Sequence, residues 1–310
     1  MRNDAYVITG PTSGIGLAAA RRLAKKGTLV LVGRSPSKLQ KVARALGRRG
    51  GAVHTVVADL AEPADVLRAA KEIRALGLSL VGLVNNAGIR EAGNPTQNSL
   101  GWDKSFATNH VGPFLLTEAL ADVLRDGARV LSVVSAVEDP GRKPAVAAGF
   151  RGGRYLSAQA CARGEWAPGG STRPGADSYA TSKQALLAAT LELARQHPRL
   201  RINALEPGLN PLTGLGGSHP GLRAAQILVF PWLIFLLKPF LPILTTPAQA
   251  GRVMTRLMTD GKAPTGTYFD ERGRPMQGSQ LAHSPEFGRR VVVETRALVE
   301  EAGQGQRVRS

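Results

Sequence analysis

The most constraining feature of this chain is the join between a short apolar run and a glycine-rich turn near its start. Tyr6-Val7-Ile8-Thr9 leads straight into Gly10-Pro11-Thr12-Ser13-Gly14-Ile15-Gly16, and then into the helix-forming Leu17-Ala18-Ala19-Ala20. Glycines let the backbone turn tightly and approach a ligand closely. A helix that opens directly after such a turn presents free N–H groups to an anion, above all a pyrophosphate. Gly10, Thr12, Ser13, Gly14, Ile15 and Gly16 are therefore candidate cofactor-binding residues. The spacing, TGxxxGxG, is not that of the common GxGxxG fingerprint, and an ordinary glycine turn is the bland alternative.

The same strand-then-helix rhythm continues. Apolar runs at residues 6–9, 29–32, 53–57, 80–85, 128–135 and 202–206 read as strands, separated by helical patterns. Ser35-Pro36 is a helix start with Ser as cap and Pro at the first position, and Gly47 is a stop. From Pro63 to Leu76 the apolar residues Val66, Ala69, Ala70, Ile73 and Leu76 keep helical spacing. Alternation of this kind predicts right-handed crossovers and an α/β fold. Its core is a doubly wound parallel sheet of Rossmann type, with the ligand at the carboxyl ends of the strands.

A chain of 310 residues, 43% hydrophobic, buries a substantial core in one such domain. The reading is a single domain over 1–310. Its core is 5–215, an insert occupies 138–177, an apolar lid lies at 215–250, and a C-terminal strand and helix fall in 251–310. The insert is rich in Gly, Pro, Arg and Ala and weakly periodic, as functional or disordered connections are. Residues 227–244 are very apolar, but Pro231, Lys238, Pro239 and Pro242 interrupt them. A spanning helix wants about 20 uninterrupted apolar residues, so the reading is a broken helix over the active site. Peripheral membrane contact is the minority alternative.

The net charge of +17 suggests an anionic partner such as a nucleotide phosphate. The basic residues are spread along the chain with few aromatics among them, which argues against a nucleic-acid footprint. One cysteine, Cys161, excludes an intrachain disulfide and fits a reducing cytoplasm. The five histidines have no metal-ligand spacing, so no metal site is expected.

Further along lie residues with the character of a proton-handling site. Tyr179 and Lys183 stand four apart and share a helix face. Ser135 ends the fifth apolar run. With Asp59-Leu60, Asn85-Asn86-Ala87-Gly88, Asn109, the pattern Tyr179-Ala-Thr-Ser-Lys183 and Pro207-Gly208, these motifs resemble, in order, those of the short-chain dehydrogenase/reductase family over roughly residues 5–215. The run Asn109-His110-Val111-Gly112-Pro113-Phe114-Leu115-Leu116-Thr117 resembles the retinol-dehydrogenase-like branch. Glu206 departs from that branch, which often has His before Pro-Gly.

The resemblance implies that Asp59 and Leu60 meet the adenine, and that Asn86, Ala87 and Gly88 flank the cofactor beside Pro207 and Gly208. It implies Ser135, Tyr179, Lys183 and Asn109 as the catalytic set, with Lys183 on the nicotinamide ribose and Asn109 holding a water toward Lys183. Thr213 is assigned loosely to the carboxamide, because Asn210-Pro211-Leu212 disturbs the register. A phenol has a reference pKa near ~10. A neighbouring ammonium and an oxidised nicotinamide should lower it, so that Tyr179 exchanges a proton with a carbonyl or alcohol oxygen while Ser135 steadies that oxygen.

Cofactor choice is read just past the second strand. A carboxylate there suits NAD; here Gly33 is followed by Arg34 and Ser35, which suit the 2′-phosphate of NADP(H). The expected function is an NADP(H)-dependent carbonyl/alcohol oxidoreductase acting on a bulky lipophilic small molecule. Reduction of an activated C=C bond on the same scaffold is the alternative. A catalytically silent nucleotide sensor is the reading from another class, but it has no need to retain Ser135, Tyr179 and Lys183 together. The long insert favours a monomer over the dimer.

Overall fold

The computed structural model describes residues 4–48, 52–91, 93, 95–173, 175–209, 245–261 and 264–307. The apolar stretch 227–244, Thr213 and most of the expected lid lie outside them.

Seven strands form one sheet in the order β3-β2-β1-β4-β5-β6-β7. They are β1 Asp4–Thr9, β2 Thr28–Gly33, β3 Val53–Val57, β4 Ser79–Asn85, β5 Leu124–Val133, β6 Arg201–Leu205 and β7 Tyr268–Phe269. Every pairing is parallel. The doubly wound α/β expectation holds. Strand β7 is only two residues long, too short for any period to announce it, and β5 stops two residues before Ser135.

The first crossovers run β1–α1–β2–α2–β3, with α1 at Gly14–Leu23 and α2 at Pro36–Gly47. Ser35 Oγ accepts from Lys38 N at 3.4 Å and Pro36 opens α2. Helix α3, Pro63–Ala75, buries Val66, Ala69, Ala70 and Ile73. The chain then returns to the other side of β1, so the order reverses between β1 and β4. That is where a doubly wound sheet opens its binding crevice. The strands are apolar on both faces because each face carries its own core: Val7, Val30 and Leu83 on one, Ile8, Leu31 and Val84 on the other.

After β4 come α4 (Lys104–Phe106), a π-helical turn at Ala107–Val111 and α5 (Gly112–Leu120). The insert contains a 3-10 turn at Ala136–Glu138 and two short helices, α6 (Lys143–Ala147) and α7 (Ala158–Ala162). It is folded onto the domain: Phe150, Tyr155, Ala158 and Cys161 are buried, and Gly153 N donates to Glu138 O at 2.8 Å. Helix α8, Ala176–Gln196, is buried over nearly its whole length. Past β6 come α9 (Pro247–Thr259), α10 (Gln280–His283) and α11 (Pro285–Arg307). Gly251 of α9 crosses α1 so closely that an added Cβ would lie 2.8 Å from that of Ala18.

Among the described residues no helix is long and apolar enough to cross a membrane, and no group of His, Cys, Asp and Glu is arranged to hold a metal ion.

Candidate active site

The glycine turn and the end of β4 are built as one unit. Thr9 Oγ1 accepts from Asn86 N at 3.0 Å and from Ala87 N at 2.9 Å. Asn86 Nδ2 donates to Thr9 O at 3.0 Å and to Gly10 O at 3.2 Å. Gly10 has φ +65, and a side chain there would lie 2.9 Å from Ala87 Cα. A Cβ on Gly16 would strike the Gly10 carbonyl and Asn86. Glycine is thus required at both positions by backbone approach, before any ligand is considered. Ser13 enters α1 in an extended conformation and places no side-chain bond on its N–H groups, which leaves the helix N-terminus available to phosphate oxygens.

Arg34 and Ser35 lie at the end of β2. The Arg34 guanidinium is 57% exposed and 3.9 Å from Asp59, an ion pair too long and too wet to hold it firmly. Asp59 Oδ1 accepts from Ala61 N at 3.0 Å. Leu60 is buried, and its carbonyl leaves no room for a Cβ on Gly112.

The chemical end assembles four elements. Ser135, just past β5, lies near enough to the Tyr179 phenol of α8 to favour its ionised form. Lys183 Nζ, one turn on, donates to Val133 O at 2.8 Å and lies 5.8 Å from the centre of the Tyr179 ring. Gly88 covers this ammonium; a Cβ there would lie 3.4 Å from Lys183 Nζ and 3.1 Å from Asn109 Oδ1. Asn109 sits in the π-helical turn, an irregularity frequent at functional sites. Its side chain clamps the next residue of the β4 loop: Oδ1 accepts from Ile89 N, and Nδ2 donates to Ile89 O, both at 2.8 Å. Nδ2 also donates to Ser182 Oγ at 3.0 Å. Both side-chain atoms of Asn109 are thereby engaged by protein.

The electrostatics differ from expectation in one respect. Burial pushes the Tyr179 phenol up to about 12, and the Glu206 carboxylate reinforces this; Ser135 and Arg90 oppose it. The value was expected to fall through Lys183 together with an oxidised nicotinamide; in the protein alone burial dominates, and it also draws Lys183 down to about 8 while Glu206 pulls it back. A buried ammonium is the weaker counter-charge because the same desolvation acts on it.

Glu206, seen in the sequence only as an odd neighbour of Pro207, is the main residue the motifs missed. It is buried at the end of β6. It accepts from Gly208 N at 2.9 Å and also from Ala136 N, so it ties the Ser135 loop to the Pro-Gly loop. A charged residue closing an apolar strand was the available signal. Arg90 and Phe150 were also missed: the guanidinium lies 5.0 Å over the Phe150 ring, which is 6.4 Å from that of Tyr179. Phe150 is far from Tyr179 in sequence and lies within the insert, where no periodicity pointed to it.

Glycine turn, serine, tyrosine and lysine at the strand ends define an oxidoreductase of the dinucleotide-binding kind. The short chain dehydrogenase family model matches residues 4–146. Protochlorophyllide reductase A of Oryza sativa subsp. japonica is 29% identical over 94% of this chain and 79% of its own. Polyprenol dehydrogenase of Mus musculus is 38% identical over 42% of this chain and 41% of its own. Among solved structures, a blue fluorescent protein from a metagenomic library in complex with NADPH superposes with a TM-score of 0.64 at 24% identity, covering 88% of this chain and 97% of that one. The chain is thus similar to short-chain dehydrogenases in sequence over its first half and in fold over most of its length.

Proposed function

We propose that the protein is an NADP(H)-dependent oxidoreductase that interconverts a carbonyl and an alcohol on a bulky, largely apolar small molecule. The observation that carries this reading is the convergence of the Ser135 hydroxyl, the Tyr179 phenol and the Lys183 ammonium at the open ends of β5 and β6.

The bound nicotinamide supplies a hydride. Tyr179 gives its phenolic proton to the carbonyl oxygen in reduction and takes it back in oxidation. Ser135 donates a hydrogen bond to the same oxygen, so the charge that develops there meets a donor already in place. Lys183 would hold the nicotinamide ribose and, drawn down to about 8 by burial, can return a proton to Tyr179. Asn109 acts by fixing Ile89, hence Gly88, over Lys183; its main chain, not its occupied side chain, is the part left to hold a water. Pyrophosphate fits the turn from Gly10 to Gly16. The exposed guanidinium of Arg34 with Ser35 suits a 2′-phosphate better than a bare ribose. Asp59 and Leu60 border the adenine, while Asn86, Ala87, Pro207 and Gly208 line the nicotinamide side.

The insert 138–177 forms a substrate wall in this reading, the motif 109–117 favours the retinol-dehydrogenase-like branch, and a reducing, cytoplasmic setting suits the single Cys161. Likeness over 94% of the chain to a protochlorophyllide reductase places activated C=C bonds beside aldehydes and ketones in the same NADPH-oxidation screen.

The test is Tyr179→Phe. Loss of the proton donor should lower turnover at least about a hundredfold, while NADPH binding, followed by fluorescence titration, persists. Full activity of the variant on a substrate of the wild type would end the assignment.

A further inference from the structure

Arg90 occupies a position for which the chemistry above has no use. It follows Ile89, whose N–H and C=O are both clamped by Asn109, so its side chain departs from a fixed point beside Lys183. It is half-buried, and its guanidinium rests 5.0 Å above Phe150. Phe150 is 5% exposed and packs with Ala145, Ala176, Ala180 and Tyr179 in one small apolar cluster. The ring contacts put the guanidinium roughly 11 Å at most from the catalytic ring. Its charge is felt at the Tyr179 phenol.

This cation has no counter-ion in its own chain. All 23 Asp and Glu residues lie among the described residues, and none forms an ion pair with Arg90, whereas ten other arginines do pair. Its neighbour Glu91 is turned to Thr96, accepting from the backbone N at 3.0 Å and from Oγ1 at 2.5 Å. Residues 210–244 contain no acidic side chain. A guanidinium partly withdrawn from water, resting over an aromatic ring and without an ion pair among the described residues, is suited to a planar anion that arrives with the substrate.

We propose that Arg90, braced by Phe150, binds a carboxylate carried by the substrate on the same molecule as the group that Tyr179 protonates. The substrate class is then an oxo acid with an apolar body, its carboxylate reaching Arg90 while its carbonyl meets Tyr179. This rests on Tyr179 being the proton donor, and it replaces a purely lipophilic substrate with an amphiphilic one.

The probes are 4-formylbenzoate and its methyl ester, which share the aldehyde and differ in charge. NADPH oxidation by the wild type should show a kcat/KM at least about tenfold higher for the acid. In Arg90→Gln that preference should vanish, the acid losing at least about tenfold more than the ester, with the KM for NADPH unchanged within about twofold. Calorimetry with terephthalate on the NADP+-loaded enzyme gives a readout free of turnover, and Arg90→Gln should weaken its Kd about tenfold. Equal use of acid and ester by the wild type, terephthalate binding that ignores the substitution, or a rise in KM for NADPH as the main effect would each overturn the proposal. Charge-dependent terephthalate binding with neither aldehyde reduced would uphold the carboxylate site and count against the carbonyl-reduction reading instead.

Discussion

Glu206 sits where two loops meet. Its carboxylate takes one N–H from each, Ala136 after β5 and Gly208 after β6, and its charge raises the phenol of Tyr179. Glutamine can accept only through its one carbonyl oxygen, and its amide nitrogen would face an N–H. In Glu206→Gln one loop should lose its tie and Tyr179 should lose the charge that opposes its ionisation. For alcohol oxidation, whose rate rises as Tyr179 deprotonates, the pH profile should move to lower pH by roughly one unit, about 1.4 kcal/mol. A profile that stays in place would show that Glu206 only supports the loops. At this scale the nearness of Tyr179 to Lys183 was legible because four-residue spacing puts both on one helix face, whereas Ser135 and Asn109 came from the family resemblance. Glu206, Arg90 and Phe150 were not legible, since their roles come from contacts between segments distant in sequence.

The 3-10 turn Ala136–Glu138 shows how an element is held by a group that burial makes expensive. Glu138 is fully buried; it accepts from Ser279 N at 2.8 Å and from Ser279 Oγ at 2.6 Å, which ties the insert to the start of α10. Desolvation raises it from 4.5 to about 7. The folded chain therefore keeps this proton where the unfolded chain has lost it. Stability contributed by Glu138 is complete below about 4.5 and is lost as pH rises to about 7, up to about 3 kcal/mol. Glu138→Gln cannot ionise and should remove that slope. Urea unfolding at pH 5 and pH 7.5 should show the wild type losing more stability than the variant between the two; equal losses would mean the buried carboxylate is already compensated. Strands and long helices were readable because period and caps are local. The insert was not, because its order comes from Glu138, Phe150 and Tyr155 reaching other elements, and the two-residue β7 exists only through pairing with β6.

Over the whole molecule, α8 is enclosed by its own chain. Helix α11 and the short helix α7 pack together on one side, where Tyr155 OH donates to Glu294 at 2.9 Å, and Phe287 meets Tyr155 edge-on at 5.3 Å. His110 of the π-helical turn lies 2.8 Å from Thr295 of α11. Thr295 spends its hydroxyl hydrogen on Val291 O, so the imidazole donates from Nε2 and remains neutral, burial having drawn it down to about 3. Little of α8 is left to form a subunit contact. Sedimentation should find a monomer near the chain mass of 32.7 kDa; a concentration-independent tetramer would contradict this. The sequence hinted at it through the length of the insert, but the covering by α11 is a tertiary fact. Tyr179 and Lys183 therefore ride on a helix buried over nearly its whole length, whose amides should exchange only as the domain as a whole opens. On the proposed function this pair should fall in the slowest-exchanging part of the protein, so activity should vanish with global unfolding and not ahead of it, and a simple rate assay becomes a thermometer for the integrity of the entire fold.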